Sequence, residues 1–153
     1  MFQRPPIQNQ HLMLITTNTK DRPQVFADPA CAREAIESLY RVQYWNPFFL
    51  FGFVIMPDHG HFLLNVPEHG SISRVMQAYK RSVSFEIGKA VWQSRFHMEI
   101  VQSCRRVLNY IHLNPVRQNL CLEATAYPWS SASGRWDVCE LPMMQEGRID
   151  EYW

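Results

Sequence analysis

Residues 48–66 read Phe-Phe-Leu-Phe-Gly-Phe-Val-Ile-Met-Pro-Asp-His-Gly-His-Phe-Leu-Leu-Asn-Val, and this stretch decides the fold. Phe48 to Met56 is aromatic and β-branched, the composition of a strand. Pro57-Asp58 marks a tight connection, and His59 to Val66 makes a second strand. With almost no spacer, the two runs should pair as an antiparallel hairpin. Side chains two apart on a strand share a face. His59, His61, Leu63 and Asn65 therefore share one face, and Gly60, Phe62, Leu64 and Val66 the other, which reads as the buried one. The two imidazoles then point the same way, about 7 Å apart along the chain, within reach of one metal ion.

Upstream of the hairpin, His11 to Thr17 ends in β-branched residues and reads as a first strand, followed by a polar turn over residues 18–24. Asp28-Pro29 supplies an N-cap and a proline at the first helical position. The helix it opens runs to about Tyr44. Ala35, Leu39 and Val42 turn inward and Glu34, Glu37 and Arg41 outward. Asn46-Pro47 ends it.

Downstream, Gly70-Ser71 opens a helix over about Ile72 to Lys89, with an apolar stripe of Ile72, Val75, Met76, Tyr79, Val83 and Ile87. Trp92 to Val101 alternates as a fourth strand. A third helix starts at Ser103 or Cys104 and runs to about Leu113, because Pro115 does not continue a helix comfortably. The order is βαββαβ followed by a helix. That predicts an α+β fold, a ferredoxin-like split βαβ antiparallel sheet with helices on one face and the other face free to hold a site. One domain is expected over residues 1–153, with a core of about 11–118 and a C-terminal extension over 119–153. Residues 1–10 read as a loose arm, and the tail from Ala126 as a wrap over the surface.

The bulk composition narrows the function. Of 153 residues, 46% are hydrophobic and 13% aromatic, enough for an ordered core. No apolar run approaches the ~20 residues of a membrane span, and the first residues lack a secretory pattern. Cys31, Cys104, Cys121 and Cys139 are scattered without a Cys-x-x-Cys. That argues against a disulfide framework or zinc knuckle and for a reducing cytoplasm. Net charge is only +1, yet residues 71–118 hold eight basic side chains against two acidic ones. Arg74, Lys80, Arg81, Arg95, Arg105, Arg106 and Arg117 are the candidates for phosphate contact. Solvated helix faces are the competing reading of the same charges.

The second informative run is Asn109-Tyr110-Ile111-His112-Leu113-Asn114-Pro115-Val116. Tyr110 and Asn114 are four apart, neighbours on one helix face. His112 lies about 200° around from Tyr110 and points elsewhere. A phenol has a pKa of ~10 and is a poor nucleophile until a metal or base activates it. Two imidazoles and an amide oxygen make a mixed site with open positions for Mg²⁺ or Mn²⁺. His97 alternates away from Phe96 and Met98, toward the histidine face.

These motifs resemble those of the single-tyrosine, IS200-like transposases of the HUH superfamily. Residues 56–64 are similar to their histidine signature and residues 109–116 to their tyrosine helix. The likeness is greatest to the REP-associated tyrosine transposases, through Tyr110-Ile111, Asn114-Pro115-Val116, Trp92-Gln93-Ser94-Arg95-Phe96 and Tyr127-Pro128-Trp129-Ser130-Ser131. Residues 17–22 also fit, and the likeness covers about residues 11–134.

The resemblance implies metal ligation by His59, His61 and Asn114, with Tyr110 as nucleophile on a catalytic C-terminal helix. It implies single-stranded DNA with hairpin structure as the substrate, a 5′-phosphotyrosine intermediate, and a monomer or homodimer. One departure stands out. Gly60 occupies the place of a bulky apolar residue, which implies a gap under the strand and looser histidines. A non-catalytic binder of structured single-stranded DNA and a small metal-dependent phosphoesterase are the competing functions.

Overall fold

A computed structural model describes residues 11–141. The elements are β1 (Met13–Asn18), α1 (Pro29–Trp45), β2 (Phe49–Met56), β3 (His59–Asn65), α2 (Ile72–Ile87), β4 (His97–Ile100) and α3 (Cys104–Arg117). The four strands form one sheet in the order β2-β3-β1-β4, with every neighbouring pair antiparallel. β3 thus lies between β1 and β2, the split βαβ arrangement expected from the sequence.

Local chemistry sets the helix boundaries. The Asp28 carboxylate accepts from Ala30 N at 2.9 Å and Pro29 opens α1. Ser71 Oγ accepts from Arg74 N at 3.2 Å to start α2. Gly88, at φ 89°, stops that helix at Ile87, two residues short of the expected end. Ile36 and Leu39 of α1 and Val75, Met76, Tyr79 and Val83 of α2 bury one sheet face with Ile15, Phe53, Phe62 and Leu64. Tyr79 OH donates to Ala35 O at 2.8 Å and ties the two helices together.

The other face is not free. Leu12, Val54, Met56 and Leu63 pack there against Val101, Cys104, Ile111 and Tyr127, so α3 and the segment after it close a second core. The physical reason is visible in β2, whose apolar run is nearly unbroken, as it is in strands buried on both faces. At Gly52, beside a slip in the β2–β3 register, a β-carbon would collide with Leu108 Cδ1. The helix therefore rests directly on the strand backbone at that point.

Three boundaries differ from expectation. β4 is only four residues long. Trp92 makes an isolated bridge to Thr19, and its ring packs between Phe26 and Tyr79, at 5.1 and 5.8 Å. α3 continues through Pro115 to Arg117. The proline gives up its own N–H and crowds the carbonyl of Ile111, yet the helical bonding resumes beyond it, with Gln118 N bonding Asn114 O at 3.1 Å. β1 begins at Met13 rather than His11.

The segment after α3 guards the edge of the sheet. Ile55 N donates to Trp129 O, Tyr127 OH to Ile55 O, and Phe53 N to Ser131 Oγ. An exposed strand edge is thereby covered. The expected wrap is present up to residue 141; the expected arm over residues 1–10 and the last twelve residues lie outside the described residues. None of the four cysteines forms a disulfide. Among the described residues, no helix is long and apolar enough to cross a membrane.

Candidate active site

β3 enters the sheet straight after the Pro57-Asp58 turn, so the histidines sit at its first and third positions. Their rings lie 4.9 Å apart, nearly perpendicular. Each is held through Nδ1. Asp58 Oδ1 lies 2.7 Å from His59 Nδ1, and Thr16 Oγ1 lies 2.8 Å from His61 Nδ1. Arg22 Nε in turn donates to Asp58 Oδ2 at 3.1 Å. Burial alone would raise the Asp58 carboxyl, but the hydrogen bonds from His59 and Arg22 outweigh it and hold it below its usual value. An ionised Asp58 accepts a hydrogen bond from His59 Nδ1, and in the neutral ring that arrangement leaves Nε2 with its lone pair.

His61 is only 6% exposed. Burial, helped by the nearby His59, pushes its pKa down to about 4, so it is a neutral imidazole near pH 7. The Thr16 hydroxyl can accept from Nδ1 or donate to it; in the tautomer that carries the proton on Nδ1, Nε2 also keeps a lone pair. Imidazoles oriented through Nδ1 with Nε2 free are the usual state of metal-binding histidines.

α3 brings Tyr110 over this pair. The Tyr110 ring lies 5.5 Å from the His61 ring, edge to face, and remains 42% exposed. The Arg117 guanidinium sits over the Tyr110 ring, 5.1 Å from its centroid, and its Nη1 donates to Tyr110 O at 3.4 Å. Asn114 lies one turn on and is 7% exposed, inside the helix rather than capping it. His61, Tyr110, Thr16, Glu99 and Arg106 line a cleft of about 380 Å³, with Leu14 and Val107 as its apolar walls.

The candidate donors are two oriented imidazoles, which are borderline rather than hard, and the amide of Asn114 on the facing helix; of these only His61 lines the cleft. Among the described residues no group of three or more His, Cys, Asp or Glu side chains is placed to hold a metal.

The candidate phosphate contacts separate into groups. Arg106 lines the cleft and Arg117 stacks on Tyr110. Arg105 is exposed and faces a second hollow, with His112, whose Nε2 lies 2.7 Å from Ser131 Oγ. His112 thus points away from Tyr110, as its position on the helix predicts. Arg74, Lys80 and Arg81 lie on α2, across the sheet from the cleft. Arg74 and Arg81 are exposed, but Lys80 Nζ donates to Gln93 O and Arg95 O at 2.7 and 2.8 Å. Its ammonium pins the loop that carries the exposed Arg95, and burial lowers its pKa.

Sequence reasoning missed Thr16, Asp58 and Glu99 as parts of the site. Glu99 had a readable signal. It alternates with Met98 and Ile100, which pack into the first core, so it shares the cleft side with His97. Thr16 depends on the β1–β3 register, which puts it opposite His61.

Residues 8–114 match the family model of the IS200-like transposases. The chain belongs to that family. This IS200-like transposase is 25% identical over 99 residues to the REP-associated tyrosine transposase of Escherichia coli K12. That match spans 61% of this chain and 60% of the relative's length. In fold, it is similar to a REP-associated tyrosine transposase solved bound to a REP hairpin. The TM-score is 0.73, at 22% identity, over 90% of this chain and 88% of the other. A crystal structure from Deinococcus radiodurans R1, described as a transposase, is similar with a TM-score of 0.54 at 20% identity, covering 71% of this chain and 87% of that one.

Proposed function

We propose that this transposase nicks and rejoins single-stranded DNA next to hairpins of the REP type, with Tyr110 as nucleophile and Mg²⁺ or Mn²⁺ as cofactor. The observation that carries the reading is the approach of Tyr110 to a histidine pair whose Nδ1 atoms are both engaged. His59, His61 and the Asn114 amide are the proposed ligands. A bound divalent ion would polarise the scissile phosphate and stabilise the charge that develops on it.

The chain's own groups do the rest. Tyr110 Oη attacks phosphorus and loses its proton, and the bond from phosphorus to the 3′ oxygen breaks. The 3′ oxygen takes up a proton and leaves as a free hydroxyl, while the 5′ phosphate stays on tyrosine. Rejoining is the reverse displacement by a 3′-hydroxyl, and needs no ATP because the phosphodiester's energy is retained. Arg106, which lines the cleft, would neutralise the entering phosphate, with Arg117 beside the Tyr110 ring as a second cation. Nucleophile and histidines come from one chain, so a monomer has a complete set. We assign the catalytic core to residues 11–118, with residues 119–153 as an extension of the same domain.

A denaturing gel tests the reading. Wild type and Tyr110→Phe are incubated with labelled hairpin-bearing single-stranded DNA from the gene's flanks, with Mg²⁺, Mn²⁺ or EDTA. The expected result is a covalent adduct that requires both metal and Tyr110. Tight binding by both proteins without adduct would replace the enzyme with a DNA binder. Turnover of small phosphoesters without adduct would replace it with a phosphoesterase.

A further inference from the structure

The turn that follows β1 holds two consecutive residues in the left-handed region, Asp21 at φ 64° and Arg22 at φ 63°. That region is costly for an L-residue. Aspartate is enriched there, because its short side chain can bond locally, but arginine has no such compensation. Glycine would take the same φ without a steric cost. Strain of this kind persists where the surroundings over-determine it, and it clusters at functional sites.

The surroundings here are explicit. Arg22 N donates to Thr19 O at 3.1 Å and closes the turn, and Lys20 N donates to Val91 O at 2.9 Å. Thr19 is fully buried, and its hydroxyl donates to Pro23 O at 2.8 Å. Thr19 N donates to Asp58 O and Phe26 N to Pro57 O, both at 2.9 Å. Residues 19–26 therefore back the Pro57-Asp58 turn, which leads directly into His59.

The backbone held in this way delivers one side chain. Arg22 Nε donates to Asp58 Oδ2 at 3.1 Å, while Asp58 Oδ1 lies 2.7 Å from His59 Nδ1. With one carboxylate oxygen fixed by the guanidinium, the other cannot swing away from the imidazole. The Arg22 side chain is 50% exposed, and an ion pair that open contributes little to stability. The pair therefore does not offset the strain that aims it, so its role lies in the orientation of the ring behind it. His61 has no such relay: it is more deeply buried and bonds Thr16 inside the sheet.

We infer that Arg22 is a positioning residue: the left-handed turn aims it at Asp58, and Asp58 so held keeps His59 protonated on Nδ1 with Nε2 free. The inference rests on the reading of His59 as a metal ligand and adds to it the device that sets the ligand's tautomer.

The test compares wild type with Arg22→Gly and Arg22→Asn, which both tolerate left-handed backbone and lack the guanidinium. Both variants are expected to melt at or above the wild-type temperature. Imidazole ¹⁵N shifts of the metal-free proteins, at a pH where the ring is neutral, should show His59 protonated on Nδ1 in wild type and as a mixture of tautomers in the variants. Mn²⁺ affinity by calorimetry should fall about tenfold, the low end of the effect of losing a group that orients a metal-binding histidine. With Asp58→Ala in place, Arg22→Gly should cause no further loss. A melting temperature that falls together with affinity would make Arg22 a purely structural residue and overturn the inference. So would a His59 tautomer that is the same in all three proteins, or a further loss without Asp58. If the tautomer changes as expected but none of the proteins binds Mn²⁺, the positioning stands and the metal reading falls.

Discussion

Thr16 Oγ1 and His61 Nδ1 lie 2.8 Å apart, across two hydrogen-bonded strands that meet residue for residue. The contact fixes the ring of the more buried histidine and the atom it offers to the cleft. Removing the hydroxyl with little change of shape isolates this role. Thr16→Val should lower Mn²⁺ affinity roughly 10- to 100-fold, the usual effect of losing a group that orients a metal-binding histidine. Adduct formation should recover at saturating metal. Titration calorimetry with Mn²⁺ checks the first half, and an unchanged affinity would show that packing alone orients the ring.

Gly60 is the position where the sequence implied a gap. The structure fills it: a β-carbon there would lie 2.9 Å from Phe62 Cζ and 3.4 Å from Ile55 Cδ1. Phe62 is fully buried against Tyr79, with ring centroids 5.2 Å apart, so a shift of its ring would disturb that packing. Gly60→Val should therefore destabilise the protein by about 1–3 kcal/mol, as overpacking does. Urea unfolding gives the value directly, and a variant at least as stable as wild type would refute the packing account.

Arg117 lies over the Tyr110 ring, 5.1 Å from its centroid. Arg117→Ala removes this stacking, worth about 0.5–1 kcal/mol at an exposed site, so the adduct rate should fall at least about 2- to 5-fold. Metal affinity should not change. Single-turnover adduct kinetics separate the two, since a drop confined to metal binding would place Arg117 outside the reaction.

Tyr127 gives a pH dependence far from the cleft. Burial, then the nearby Cys121, raises its phenol to about 12, and its hydroxyl donates to Ile55 O at 2.7 Å. A folded pKa above the unfolded value of ~10 means that the stabilisation is whole below pH 10. It is lost as pH rises from 10 through 12. The shift corresponds to about 2–3 kcal/mol. Tyr40 and Tyr79 titrate in the same direction, so Tyr127→Phe should flatten the alkaline fall in melting temperature without abolishing it. A variant whose fall matches wild type in steepness would exclude Tyr127 from the effect.

What could be read from the chain divides along the range of the interactions involved. The β2–β3 hairpin, the caps at Asp28 and Ser71 and the stripe of α2 depend on neighbours in sequence, and they stand as read. The closed second face is signalled by Val54, Met56 and Leu63, but on β3 the same face also carries two histidines, which give it the pattern of a solvent-facing side. Thr16 and Glu99 join the cleft only through pairing of strands far apart in the chain, which no local pattern encodes. Lys80 illustrates the limit of charge counting: its sequence context is that of a surface cation, yet two backbone carbonyls occupy its ammonium.

The contact at Gly52 bears on how relatives of this chain can vary. The spacing between β2 and the tyrosine helix is set by a missing side chain on one and Leu108 on the other. That spacing is also the reach of Tyr110 toward the histidines, so selection on the nucleophile acts on a glycine that never meets DNA. Positions 52 and 108 should trade volume among functional homologues: where the first gains a methyl group, the second must shrink.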